Sequence, residues 1–135
     1  MFLRVIKRME IAASHKLNLP YESKCKTRHG HNWIVEVHCK MSMENFNSNA
    51  THGMVVDFKH IKNVIMLLDH EDLNSHMDQP TAENICCHLF NNLLRHDRIK
   101  RSTVQIEKIR VRESENNWVE LVLEDGPNVF PKTGG

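Results

Sequence analysis

The chain has 135 residues and a formal net charge of +1, with 40% hydrophobic and 26% charged residues. This length predicts a single domain over residues 1–135, and the balanced charge gives no electrostatic reason to expect nucleic acid or a membrane surface as a partner. No segment approaches the roughly 20 apolar residues of a membrane span. Basic residues interrupt the apolar start of the chain, so we expect a cytoplasmic protein.

Two segments in the first third of the chain alternate apolar and polar side chains. They cover residues 3–15 and 31–41, and this alternation is typical of half-buried strands. Between them, residues 18–28 are polar and predict a loop. Residues 42–53 are rich in Asn and Ser and predict a second loop.

Two amphipathic helices are predicted in the middle of the chain. Asp57 is a candidate N-cap for the first, whose apolar residues recur at spacings of three and four from Phe58 to Leu68. Thr81 or the adjacent Pro80 opens the second, which carries an apolar stripe over residues 85–94. Residues 103–113 and 117–124 are then predicted as strands, and about 125–135 as an irregular tail.

The resulting order is strand, strand, helix, helix, strand, strand. Strands grouped apart from helices predict an α+β domain, with a four-stranded antiparallel sheet and both helices on one face. Such a sheet has two open edges that must be covered, charged or paired with another subunit, so we expect a homo-oligomer.

Three of the ten histidines are expected to converge. His29 and His31 lie two apart and project from one face of the second strand, and Gly30 between them leaves room for close backbone approach. His15 ends the first strand on its apolar side. If the two strands pair as a hairpin, all three imidazoles lie near the same end and could hold Zn²⁺ with one open position.

Cys25 lies four positions ahead of His29 in the segment CKTRHGHNW, residues 25–33. Without a secretion signal the four cysteines are expected to stay reduced. The residues alone leave three interpretations of Cys25 open: a fourth ligand that closes a structural zinc site, a reactive thiol beside a metal, or a free loop cysteine.

Six motifs, in this order and spacing, resemble the 6-pyruvoyl-tetrahydropterin synthase superfamily. They are IAASHKL (11–17), CKTRHGHNW (25–33), GMVVDFKHIK (53–62), LDHEDLN (68–74), QPTAEN (79–84) and IRVRES (109–114). Within the superfamily the chain most resembles the 6-carboxy-tetrahydropterin synthases of queuosine biosynthesis, because only three residues separate Cys25 from His29. Lys26 stands where variants related to folate synthesis tend to carry a glutamate, which argues against that branch.

The resemblance implies a fold, an assembly and a metal. The fold is the T-fold, whose sheets join through their edges into a barrel, commonly as a hexamer of two trimers. The family's zinc ligands map onto His15, His29 and His31.

The resemblance also implies which residues act on the substrate. The catalytic base maps onto Cys25, and a proton-relaying pair maps onto Asp69 and His70. The glutamate that anchors the pterin ring maps onto Glu113, and Thr81 lies in a region that helps to hold the pterin. The residues that bind the triphosphate are not identified, and the lysines and arginine near the site are candidates by proximity only.

The function expected from this resemblance is that of a zinc-dependent lyase. It would convert 7,8-dihydroneopterin triphosphate to 6-carboxy-5,6,7,8-tetrahydropterin and release triphosphate and acetaldehyde. The alternative within the family is 6-pyruvoyl-tetrahydropterin synthase, which eliminates triphosphate without cleaving a carbon–carbon bond. An alternative from another class is a non-catalytic zinc-binding T-fold protein in which Cys25 is the fourth ligand.

Overall fold

The computed structural model describes residues 1–48 and 51–124 of the chain. Its strands are β1 (Phe2–His15), β2 (His29–Ser42), β3 (Glu71–Asp72), β4 (Gln105–Ser114) and β5 (Asn117–Val122). Its helices are α1 (Met43–Phe46), α2 (Phe58–Met66), α3 (Ala82–Arg95) and α4 (Asp97–Lys100). The α+β class and the order of the four long strands and two long helices are confirmed. The predicted irregular tail, residues 125–135, lies outside the described residues.

The described strands form one sheet in the order β3-β1-β2-β4-β5. Strand β2 runs antiparallel to both β1 and β4, and β5 runs antiparallel to β4. The short β3 runs parallel to β1 beside Ala13 and Ser14. The prediction of four antiparallel strands is therefore wrong, since the sheet is five-stranded and mixed. Two residues within the polar DHEDLN segment are too few to show the alternation that identifies a strand.

The register of β1 and β2 determines where the histidines lie. His15 stands opposite His29 at the end of the hairpin, and His31 stands opposite Ala13 one pleat further along. Successive side chains on a strand point to opposite faces, so these three histidines share the face that the helices cover. The predicted long hairpin is confirmed.

The core lies between that sheet face and helices α2 and α3. Strand residues such as Trp33, Val35 and Ile109 are fully buried against helix residues such as Ile61 and Leu89. Burying each such side chain is worth about 1.5–3 kcal/mol relative to its exposure to water. The apolar periodicity read from the sequence therefore identifies the faces that pack together.

The predicted helix starts are confirmed by their capping bonds. The Asp57 side chain accepts a hydrogen bond from the Lys59 amide, and the Thr81 hydroxyl accepts one from the Asn84 amide. Helix α2 ends at Met66, ahead of Leu68, which is buried in the turn that follows.

Two details of the sequence interpretation are wrong. The segment 42–53, predicted as a loop, contains α1, a single turn capped by the Ser42 side chain. A Cβ atom added at Gly30 would meet no heavy atom within 4 Å, so close backbone approach is not the reason for glycine there. None of the helices within residues 1–48 and 51–124 is long and apolar enough to cross a membrane.

Candidate metal centre

Four side chains converge where β1 ends and β2 begins. His15, His29, His31 and Glu113 each offer one ligand atom, and these atoms all lie within 4.8 Å of one another. The Nε2 atoms of His15 and His29 are 3.0 Å apart. We refer to these four residues as the histidine cluster.

Backbone carbonyl groups set the tautomers of two of these histidines. The Nδ1 atom of His15 lies 2.7 Å from the Pro80 carbonyl oxygen, and that of His29 lies 2.6 Å from the Thr27 carbonyl oxygen. A carbonyl oxygen only accepts, so each Nδ1 carries a proton and donates it. When neither ring is protonated on Nε2, the two Nε2 lone pairs face each other, an arrangement that a shared cation satisfies.

The third imidazole has a buried nitrogen without a hydrogen-bond partner. The Nε2 atom of His31 is buried and unbonded, although the Glu113 Oε1 atom lies 3.3 Å away outside hydrogen-bonding geometry. Two nitrogens bound tetrahedrally to one Zn²⁺ stand about 3.3 Å apart, close to the His15–His29 separation. The donor set of three imidazoles and a carboxylate therefore fits a bound metal ion.

A tryptophan lies beneath the imidazoles. Trp33 is fully buried, and its ring centroid is 5.0 Å from that of His15 and 5.1 Å from that of His31, in edge-on contact with both. Its indole N–H donates to the Ala13 carbonyl oxygen at 3.1 Å, which fixes the ring. Close packing against a fixed ring limits the orientations open to His15 and His31.

Glu113 enters the cluster from an irregular position in β4. Its neighbours Arg112 and Ser114 pair with Trp118 and Asn117 of β5, and the register shifts between them, so Glu113 is the additional residue of a bulge. Bulges redirect side chains next to functional sites. The Glu113 Oε1 atom also lies 3.9 Å from His15 Nε2. The residue expected to anchor the pterin thus contacts the histidines directly.

Cys25 lies in the loop before β2, within a single 3-10 turn, and is partly exposed. Its amide donates to the Ser23 hydroxyl, and its carbonyl oxygen accepts from the Leu17 amide at 2.7 Å. The second bond ties the loop to the chain just after His15. Among the described residues, the group of mutually close ligand atoms contains Glu113 and not the Cys25 sulfur.

Asp69 and His70 lie beyond the end of α2 and bind the edge of β1. The Asp69 Oδ1 atom accepts from the Ala12 amide at 2.9 Å, and the His70 amide donates to the Ala12 carbonyl oxygen at 2.6 Å. Helix α2 ends at Met66, three residues before Asp69. His70 has a left-handed φ of 59°, and its side chain is 82% exposed. Its Nε2 atom is 3.6 Å from Asp69 Oδ2, too far for a hydrogen bond.

Burial keeps two of the imidazoles neutral. It lowers the pKa of His15 below the ordinary value of 6.5; the Pro80 carbonyl and Glu113 act in the opposite direction, and His29 adds to the lowering. Burial lowers the pKa of His31 in the same way, opposed by Glu113 and assisted by the other two histidines. Neutral imidazole is the form that binds a metal.

The metal-free protein is expected to lose stability as the pH falls from about 7.5 to about 5.5. The unfolded chain takes up protons on His15 and His31 near pH 6.5, while the folded chain resists protonation until a lower pH. Their contribution to the free energy of unfolding is therefore complete at about pH 7.5 and declines as the pH falls through 6.5. Urea unfolding midpoints across this range measure the decline.

Burial also lowers the pKa values of two other histidines, His60 and His88, so these residues contribute to the decline as well. The His31→Gln variant keeps both of them and should show a smaller decline than the unmodified chain. An equal decline in the two proteins would assign the whole effect to residues outside the histidine cluster.

Comparisons with known proteins identify the family. A family model described as 6-pyruvoyl tetrahydropterin synthase matches residues 4–124. The chain belongs to the 6-pyruvoyl tetrahydropterin synthase family. The expected resemblance to this family, and within it to the 6-carboxy-tetrahydropterin synthases, is confirmed.

Individual relatives show how widely this family has diverged. A protein of Archaeoglobus fulgidus, provisionally named a 6-carboxy-5,6,7,8-tetrahydropterin synthase, is 32% identical over 114 residues, 82% of this chain and 87% of its own length. The dihydroneopterin monophosphate aldolase of Pyrococcus furiosus is 28% identical over 125 residues, 87% of this chain and 96% of its own. The structure of Caenorhabditis elegans 6-pyruvoyl tetrahydropterin synthase is 19% identical in sequence and superposes with a TM-score of 0.69. The match covers 92% of this chain and 97% of the other chain, and it shows that the two proteins share a fold.

Proposed function

We propose that this chain is a zinc-dependent pterin synthase that converts 7,8-dihydroneopterin triphosphate to 6-carboxy-5,6,7,8-tetrahydropterin, releasing triphosphate and acetaldehyde. The observation that carries the proposal is the histidine cluster, in which three imidazole nitrogens and a carboxylate meet and one buried nitrogen lacks a partner. Family membership and relatives named as 6-carboxy-tetrahydropterin synthases support the pterin substrate.

His15, His29 and His31 would hold the zinc ion. A zinc ion bound there would supply Lewis-acid polarisation of the hydroxyl groups on the substrate side chain. The two carbonyl hydrogen bonds keep the lone pairs of His15 and His29 directed into the site. Trp33 is buried against His15 on the core side of the site, so substrate must approach from the exposed end of the hairpin.

Cys25 is the proposed base that removes a proton from the substrate side chain. A base must reach the reacting proton, and the hydrogen bond from Leu17 to the Cys25 carbonyl holds this loop beside the residues that follow His15. The thiol is partly exposed and lies outside the group of ligand atoms among the described residues. This placement favours a reactive thiol over the alternative of a closed structural zinc site, in which Cys25 would be the fourth ligand.

Asp69 and His70 are the proposed proton-relaying pair. Asp69 is fixed by the Ala12 amide, which leaves its second oxygen facing His70. The His70 ring is in solvent, so the substrate or a neighbouring subunit must bring the reacting atoms to it.

Assembly through sheet edges is part of this proposal. Within residues 1–48 and 51–124, no strand pairs with the outer edge of β1 ahead of Ala12, where Phe2 and Ile6 are exposed.

Glu113 is the proposed anchor of the pterin ring, and Thr81 is proposed to lie beside that ring. A carboxylate can accept two bonds side by side, from the pterin amino group and the neighbouring ring N–H. The Glu113 side chain is 29% exposed, so one of its faces is open to a ligand. Thr81 follows Pro80, whose carbonyl oxygen contacts His15. The start of α3 therefore lies next to the histidine cluster.

The Glu113→Gln variant tests this assignment. An amide keeps the shape of the carboxylate but replaces one acceptor with a donor, so the paired hydrogen bonds to the pterin cannot both form. We expect kcat/KM to fall roughly 10- to 100-fold while bound zinc is unchanged. Glu115→Gln, an exposed neighbour on the same chain segment, is the matched control and should retain full activity. Loss of zinc from the Glu113 variant would instead make Glu113 a metal ligand.

The reaction is tested by incubating the zinc-loaded protein with 7,8-dihydroneopterin triphosphate and measuring triphosphate, acetaldehyde and the pterin product. Release of triphosphate and acetaldehyde in equal amounts supports the proposal. Triphosphate without acetaldehyde would establish the 6-pyruvoyl reaction instead. Because a relative acts on dihydroneopterin monophosphate, that compound serves as the competing substrate, and a preference for it would overturn the proposal.

A further inference from the structure

Two side-chain amides extend the edge of the sheet past His15. Asn74 accepts a hydrogen bond from the Lys16 amide at 2.9 Å and donates one to the Lys16 carbonyl oxygen at 3.0 Å. Gln79 makes the same pair of bonds with the backbone of Asn18, both at 2.9 Å. These bonds continue the pairing of β3 with β1, with side chains standing in for a backbone strand.

The two amides differ in what they are attached to. The Gln79 carbonyl oxygen accepts from the Thr81 amide and from the Asn84 side chain, both at 2.8 Å, and these bonds join the Gln79–Thr81 segment to the start of α3. The next carbonyl oxygen, that of Pro80, accepts from His15 Nδ1. The contacts therefore close a ring that runs from His15 to Asn18, across to Gln79, and back through Pro80 to His15. Asn74 has no corresponding contact to a cluster histidine in the described residues.

His15 depends on this ring for its orientation. It is fully buried, so water cannot replace the Pro80 carbonyl as the partner of its Nδ1 proton. If the Pro80 carbonyl oxygen shifts, the His15 ring either turns or exchanges its proton between its two nitrogens. Either change directs the Nε2 lone pair away from the other histidines.

We propose that Gln79 is a positioning residue of the histidine cluster: by joining the Asn18 backbone to the segment that carries Pro80, it fixes the tautomer and direction of the His15 ring. This inference rests on the proposed role of His15 as a metal ligand. It predicts an effect on metal affinity from a side chain whose hydrogen bonds go to the Asn18 backbone and not to a cluster histidine.

The test compares Gln79→Met with Asn74→Leu in the whole chain. Each substitution keeps the approximate size of the side chain and removes two hydrogen bonds to the extension of β1, but only the first removes the link between the Asn18 backbone and the segment that carries Pro80. Cobalt(II) is the probe, since its visible spectrum reports coordination geometry and a competing chelator gives its dissociation constant. We expect about tenfold weaker cobalt binding and an altered spectrum for Gln79→Met, with both unchanged for Asn74→Leu.

A second measurement needs no metal. Long-range ¹⁵N–¹H NMR spectra of the metal-free protein should show His15 with its proton on Nδ1 alone in the unmodified chain, and a mixture of tautomers in Gln79→Met. Gln79→Ala, which removes the same bonds, replaces the Met variant if that variant does not fold.

The possible outcomes separate the inference from the proposed function. Unchanged cobalt affinity in the Gln79 variant, or an equal loss in the Asn74 variant, would overturn the inference and leave the metal site standing. Failure of the unmodified chain to bind cobalt or zinc would overturn both.

Discussion

Replacement of Cys25 by alanine is expected to slow release of triphosphate roughly 100- to 10,000-fold, the usual contribution of a general base, while bound zinc stays unchanged. The reason is the geometry of the cluster: the three imidazoles proposed to hold the zinc converge, and the Cys25 sulfur is not in the group of mutually close ligand atoms among the described residues. Single-turnover rates with 7,8-dihydroneopterin triphosphate, together with metal analysis of the dialysed protein, measure the two quantities separately.

The matched control for this substitution is Cys87→Ala. Cys87 is also a free, partly buried cysteine, but it lies within helix α3. Its replacement should change neither the rate nor the zinc content. If Cys25→Ala loses zinc, the thiol is a ligand and the non-catalytic zinc protein becomes the better interpretation. A variant that keeps both zinc and full turnover would remove Cys25 from the mechanism.

Strand parity was sufficient to predict that the three histidines converge. The alternation of residues 3–15 and 31–41 assigns His15, His29 and His31 to the faces of the two strands that are apolar. A hairpin between them then leaves little choice of register, since a shift of one residue would move every apolar side chain into solvent. The structure has this register, with His15 directly opposite His29.

The groups that orient the histidines could not be predicted in the same way. The Pro80 and Thr27 oxygens belong to the backbone, which every residue possesses, so no residue type signals them. Glu113 shares parity with the apolar residues of β4, which predicts its face of the sheet, but no residue type signals the bulge at which it lies. Strand β3 was not predicted, because its two residues form a strand only through their pairing with β1, and that pairing has no signal within the segment itself.

The same limit explains why the first helix is shorter than its apolar periodicity predicts. Periodicity alone extended the first helix to Leu68, because that residue is buried on the correct face. In the structure, the chain leaves the helix at Met66, and Asp69 binds the Ala12 amide on the edge of β1. Burial of Leu68 in the turn therefore extends the apolar periodicity beyond the end of the helix.

The His29→Ala variant is expected to lose its zinc on dialysis and, with it, all activity above background. Two remaining imidazoles are too few for tight binding, since Glu113 is proposed to bind the pterin ring and not the zinc. His29 is the ligand of choice for this test because it is partly exposed, whereas removal of the fully buried His15 would also leave a cavity in the core. Metal analysis and thermal unfolding with and without zinc measure the effect.

Thermal unfolding provides a sharp contrast between the variant and its control. Zinc at 100 times its dissociation constant stabilises the folded state by about 2.7 kcal/mol, which for a domain of this size raises Tm by on the order of 10 °C. That rise should occur in the unmodified protein and in His76→Ala, which removes a partly buried histidine outside the histidine cluster, and should be absent from His29→Ala. An undiminished rise in Tm in His29→Ala would place the zinc elsewhere in the chain. A site that has lost one of its three imidazoles binds zinc more weakly and therefore cannot stabilise the folded state to the same extent.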